Sequence, residues 1–234
     1  MPILHPQKTN ISYRLAALIF TAIAITFLDT IHMKVHLFIP CFVDQFFPET
    51  AFNMVKVLEK LGCDIHYNTQ QTCCGQAACN AGFWQESEAV AQKFLNDFAL
   101  PETTSEPEYI VAPSASCVGF VRNYYQKLFA DQSPKNKKAK AQITQINSRL
   151  FEFSEFLVDV LKVENVGAKL EGIATYHDAC GALRECGIKA APRKLLANVA
   201  GLELQESPDC ETCCGFGGTF AIKYEAISVA MAAQ

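Results

Sequence analysis

Seven of the eleven cysteines fall into two sets of matched spacing, and thiol chemistry is the clearest chemical signal in the chain. The first set is Cys41, the adjacent pair Cys73-Cys74 followed by Gly75, and Cys117; the second is Cys180 and the pair Cys213-Cys214 followed by Gly215. Thirty-two positions separate residue 41 from residue 73, and thirty-three separate 180 from 213. Thiolates are soft metal ligands. Neighbouring side chains on an extended backbone point to opposite sides, so each pair is expected to reach two metal atoms rather than chelate one tetrahedral ion. A polynuclear iron–sulfur cluster accepts such divergent thiolates, and Gly75, Gly215, Gly217 and Gly218 let backbone N–H groups come close to sulfur. Zinc stands as the alternative, because Cys210-Glu211-Thr212-Cys213 has the Cys-x-x-Cys spacing of a zinc knuckle. Cys63 reads as a core residue, while Cys79, Cys186 and Cys210 stay open between ligand and core. A disulfide framework is disfavoured by the odd count and by a chain of 234 residues that can build a core unaided.

The elements that must carry these cysteines alternate. Short β-rich runs at 35–39, 65–67, 109–112, 173–176 and 202–204 interleave with helical periodicity at 50–61, 83–100, 118–129, 150–161 and 192–199. Alternation of this kind predicts an α/β fold with parallel strands and helices packed on the sheet. Each single cysteine follows a strand, and each pair lies in a glycine-bearing loop before a helix. The cysteine sites are therefore expected in loops at the strand carboxyl ends, where one βαβ unit brings consecutive loops together. The repeated Cys…Cys-Cys-Gly pattern predicts two similar Rossmann-like units related by internal duplication. Residues 33–130 form the first, the lysine-rich 131–141 a solvated linker, and 142–234 the second. A counterpart of Cys117 in the second unit would fall near position 257, past Gln234, so that unit is expected to be cut short and its site incomplete.

Half of the residues are apolar and the formal charge is −4, which excludes a disordered chain and disfavours a nucleic-acid binder. Residues 15–28 are an uncharged run of fourteen, shorter than the roughly 20 residues that span a bilayer. With a natural start at Met33, residues 1–32 read as an upstream extension or a misassigned start; the rival reading is a membrane-associating helix, the only route to membrane contact. The Gly215-Phe216-Gly217-Gly218 run lacks the spacing of a dinucleotide fingerprint. His177 reads as a strand-end hydrogen bonder before a ligand. No catalytic triad, carboxylate dyad or phosphate loop stands out.

The motifs F-I-P-C at 38–41, T-C-C-G-Q at 72–76, A-P-S-A-S-C at 112–117, Y-H-D-A-C at 176–180 and T-C-C-G-F-G-G-T-F at 212–220 together resemble the CCG, or cysteine-rich, domain family. The resemblance spans Met33 to Gln234. It implies a cytoplasmic iron–sulfur electron-transfer subunit, part of an oxidoreductase rather than a complete enzyme, in a multi-subunit system oxidising L-lactate to pyruvate. A ferredoxin-type iron–sulfur subunit and a third small subunit are the implied partners, and a [4Fe-4S] cluster the implied cofactor. Cys41, Cys73, Cys74 and Cys117 match the family's first site, and Cys180, Cys213 and Cys214 its second. One departure is Ser114-Ala115-Ser116-Cys117, where the family carries Cys-x-x-Cys. Iron–sulfur subunits of glycolate oxidase and of heterodisulfide reductase share these motifs and supply the alternative roles, beside a zinc-stabilised assembly module.

Overall fold

A computed structural model describes residues 33–101, 106–131 and 133–233. The reading of residues 1–32 as an extension or membrane-associating helix lies outside them.

Four strands, β1 (Met33–Leu37), β2 (Cys63–Tyr67), β3 (Glu108–Ala112) and β4 (Leu150–Glu152), form one parallel sheet in the order β2-β1-β3-β4. Val35 of β1 faces Ile65 on one side and Tyr109 on the other. Parallel neighbours need long crossovers, and helices supply them. They are α1 (Cys41–Phe46) and α2 (Pro48–Lys60) before β2, α3 (Gln76–Ala81) and α4 (Trp84–Asp97) before β3, and α5 (Ala115–Leu128) and α6 (Pro134–Asn147) before β4.

Successive residues of β3 serve opposite faces, as the two-residue period of a strand requires. Ile110 joins Phe38, Phe94, Phe120, Tyr125 and Ile143 on one face, while Val111 joins Val35, Leu37, Met54, Leu58 and Phe156 on the other. Each fully buried Leu, Ile or Phe stabilises the fold by about 1.5–3 kcal/mol before chain entropy is counted. Burial on both faces explains why β3 after Glu108 reads as an unbroken apolar run.

Two sequence expectations change here. Residues 131–141, expected as a linker, contain the start of α6, because Ser133 accepts a hydrogen bond from the Asn136 N–H at 3.3 Å and Pro134 occupies the first turn. The apolar stripe that docks this helix, Ala139, Ile143 and Ile146, lies mostly past the lysines that dominate the window. Residues 150–161, expected as one helix, open with strand β4, whose Leu150 pairs with Ile110. A turn α7 (Phe153–Glu155) follows, capped reciprocally by Glu152 and Glu155, and continues as a π-helical turn over Phe156–Val160.

A second parallel sheet holds β5 (Lys169–Ala174) and β6 (Ala200–Leu204), joined through a π-helical turn at Gly181–Glu185 and α8 (Ala190–Ala197). Helices α9 (Thr219–Lys223) and α10 (Glu225–Ala232) end the described chain. This part packs on the first through α5, which runs along the Gly181–Glu185 turn. The approach is close: a Cβ at Gly119 would lie 2.6 Å from Glu185 Cβ, and one at Gly181 only 2.8 Å from Ser116 Cα. Among the described residues, no helix is long and apolar enough to cross a membrane.

Candidate metal centre

In the first sheet the chain runs outward from β1 to β2 and then returns to β3 on the other side of β1. The order therefore reverses between β1 and β3, and a crevice forms at the carboxyl ends of strands at such a switch point. Cys41 begins α1 just past β1, and Cys117 lies in the first turn of α5 just past β3. Cys73 and Cys74 come from the loop after β2, turned by Gly75, whose φ of +90° favours glycine.

The four thiols face one another. Cys41 Sγ lies 3.5 Å from Cys73 Sγ, and Cys74 is near enough to Cys73 and Cys117 to perturb both. Their acidities split. The hydrogen bond from Cys74, helped by the Gly75 N–H at 3.3 Å, pulls Cys73 down to about 5 against the effect of burial. Cys117 is also lowered, first by Cys74 and then by Ser114 and Ser116. Burial, with Cys73 alongside, pushes Cys41 up to about 11. Cys74, which is 1% exposed, is raised well above the ordinary thiol range by its hydrogen bonds to Cys117 and Cys73 and by burial.

Cys180 and Cys213 interact in the second part, with Cys214 nearby. Burial, then Cys213, raises the Cys180 thiol. Cys213 and Cys214 line a cavity of about 520 Å³ with His177, Asp209, Thr212, Met231 and Ala232. Gly215 has φ +78° and leaves no room for a Cβ, which would lie 2.2 Å from Ser228 O. Gly181, next to Cys180, abuts Ser116, next to Cys117, so the two cysteine sets approach each other across the contact with α5.

All eleven cysteines are free thiols. Among the described residues, no three or more His, Cys, Asp or Glu side chains are arranged to hold a metal ion as they stand. The donor set of the first site nonetheless suits iron–sulfur ligation: four soft sulfur donors from three loops, two of them favoured as thiolates, with a backbone N–H aimed at one sulfur.

The sequence profile of the cysteine-rich domain family (CCG) matches residues 35–122 and 174–234, which between them hold all seven matched cysteines. The chain belongs to this family. Among its relatives is a protein named lactate utilization protein A from Geobacillus kaustophilus, 41% identical over 85% of this chain and 79% of the relative. Proteins of that name from Halalkalibacterium halodurans and an Exiguobacterium strain are each 42% identical over 85% of this chain and 77% of the relative.

Within this cysteine-rich chain, the remaining cysteines separate from the two sets. Cys63 is buried in the core with Met54 and Leu58, and burial pushes its thiol up to about 11. Cys79 packs on the core around Phe38. Cys186 lies between two cores, with Sγ 3.4 Å from Ala115 O. Cys210 Sγ lies 3.8 Å from an Arg193 nitrogen.

Three supporting residues were missed by sequence reasoning. Buried Tyr125 and Ser87 donate to the carbonyls of Cys74 and Gly75, at 2.8 and 3.0 Å. Arg193 holds Asp178, on the Cys180 loop, and Glu206, on the approach to Cys213. Asp178 donates its N–H to Cys210 O at 2.8 Å, and Arg193 holds its carboxyl below the usual carboxylate range. A signal for Tyr125 was present: it sits on the buried stripe Val118, Val121, Tyr125, Leu128, where a phenol needs a partner.

Proposed function

We propose that this chain is an iron–sulfur electron-transfer subunit of a cytoplasmic multi-subunit system that oxidises L-lactate to pyruvate. The observation that carries this reading is the meeting of Cys41, Cys73, Cys74 and Cys117 at the carboxyl-end switch point of a parallel sheet. The names of its relatives point to lactate as the substrate and, by the letter A, to further components. On this reading those four cysteines hold one cluster, of [4Fe-4S] type, and Cys180, Cys213 and Cys214 contribute to a second site. A bound cluster supplies single-electron acceptance and release. The chain's own part is to present four sulfurs from three loops, bury Cys74 and Cys117, and leave Cys41 at the surface, where electrons can pass to or from a partner.

L-lactate gives up two electrons and two protons on becoming pyruvate, so a single relay cluster needs a partner. A ferredoxin-type iron–sulfur subunit and a third small subunit are the proposed companions. Duplication is part of the same proposal: β5 and β6 pair in parallel as β1 and β2 do, and each of the four strands precedes a matched cysteine. Residues 33–130 and 142–234 are then the two units, with β4 carried across to the first sheet.

The test is anaerobic reduction of the isolated complex by substrate, followed by EPR. L-lactate is expected to bring up the reduced-cluster signal of this chain while pyruvate forms. Reduction by glycolate but not L-lactate would move the assignment to the glycolate oxidase alternative. Zinc without labile sulfide would replace it with the structural module.

A further inference from the structure

Two buried hydroxyls grip the backbone of the first Cys-Cys-Gly loop from the core side. Tyr125 on α5 is fully buried between Phe94 and Phe120, and its hydroxyl donates to Cys74 O at 2.8 Å. Ser87 on α4, also fully buried, donates to Gly75 O at 3.0 Å. A trans peptide is planar, with its C=O and N–H pointing in opposite directions. Fixing the oxygen of the Cys74–Gly75 peptide against Tyr125 therefore fixes where the Gly75 N–H points. That N–H points at Cys73 Sγ, 3.3 Å away. Gly75 takes this pose at φ +90°, and a Cβ there would lie 3.1 Å from Ser87 O.

We infer that Tyr125 is a positioning residue for the first cysteine site: by holding the Cys74 carbonyl it aims the Gly75 N–H at the Cys73 sulfur, and so sets the electron density on that sulfur. The inference deepens the proposed function and, for its redox consequence, rests on that reading. An N–H directed at a ligating sulfur favours the more negative, reduced state of a cluster. Removing the grip is therefore expected to lower the reduction potential. Ser87 acts one peptide further along and steadies the same loop.

Two readouts separate this inference from the reading beneath it. In the metal-free full chain labelled uniformly with 15N, Tyr125→Phe is expected to speed exchange of the Gly75 amide at least tenfold, while amides in β1 and β3 keep their rates. Gly75→Ala assigns the resonance. In the iron-loaded chain, Tyr125→Phe is expected to shift the midpoint potential downward, with a changed EPR line shape at unchanged iron content. Unaltered Gly75 exchange, or faster exchange with an unaltered potential, would overturn the inference. If the wild-type chain takes up no iron, the proposed function fails, and the amide readout still decides whether Tyr125 aims the Gly75 N–H. Should Tyr125→Phe not fold, Ser87→Ala carries the same two readouts, with a smaller expected shift.

Discussion

Arg193→Ala is expected to loosen the second cysteine site from the inside. The guanidinium forms a fork on Asp178, with both bonds at 2.7 Å, and Asp178 is 2% exposed. It also donates to Glu206 at 2.6 Å and to Lys189 O at 2.9 Å, and stands 5.0 Å over the Tyr176 ring. Glu206 is exposed and adds little. The cost lies with Asp178, since stripping one partner from a buried ion pair costs about 3–5 kcal/mol. The cover here is thin, because β5 and β6 are exposed along most of their length, so the lower end, about 3 kcal/mol, is the expected value. That corresponds to roughly a 100-fold rise in local opening, given a factor of ten per 1.4 kcal/mol. Hydrogen exchange with mass spectrometry reads it directly on peptides covering 176–180 and 206–214. Arg193→Lys keeps the charge but loses the fork, and is expected to recover part of the protection. With Asp178→Asn already in place, Arg193→Ala should cost far less, because no buried charge is left unpaired. An exchange change below threefold in Arg193→Ala would instead make the pair a solvated surface contact.

Two further outcomes follow from the packing. Gly119→Ala would ordinarily favour a helix by up to about 1 kcal/mol, but the new Cβ would meet Glu185 Cβ at 2.6 Å. Overpacking of about 1–3 kcal/mol is expected to win, lowering the urea midpoint; a raised midpoint would mean that the Gly181–Glu185 turn does not sit on α5. The Cys63 thiol, pushed up to about 11 by burial, is ionised to about one part in a thousand at pH 8, against roughly a quarter for a free cysteine. Its alkylation by iodoacetamide in the native chain is thus expected to run at least 200-fold slower than that of a free thiol. The rate should rise tenfold per pH unit up to about pH 11, and mass mapping at pH 8 and 9 checks both.

Much of the fold was legible because its signals are local. The strands of β1 and β3 announce themselves as short β-rich runs, and the helices of α2, α4 and α5 as amphipathic periods. Where the sequence misled, two patterns competed within a few residues. Leu150, Phe153, Leu157 and Leu161 mimic a helical stripe, yet Leu150 is recruited as an edge partner for Ile110, and only the sheet can decide that. The lysines of α6 obscure a stripe whose docking residues come later. At the site, the matched spacing of cysteines named the thiols, and their strand-end placement explains why Cys41 can reach Cys73 across 32 positions. The supports were hidden for a different reason: Tyr125 reaches Cys74 over 51 positions, and Arg193 reaches Asp178 over 15. No periodicity encodes a bond whose partners are joined only by the packing of α5 and α8.

Iron, zinc and acid-labile sulfide, measured on the anaerobically purified chain with EPR before and after dithionite, test the central claim most directly. Iron with matching sulfide is expected, with a reducible signal that falls in Cys73→Ser/Cys74→Ser and is kept in Cys63→Ala. Zinc without sulfide, or a signal left unchanged in intensity by loss of the Cys73-Cys74 pair, would contradict it.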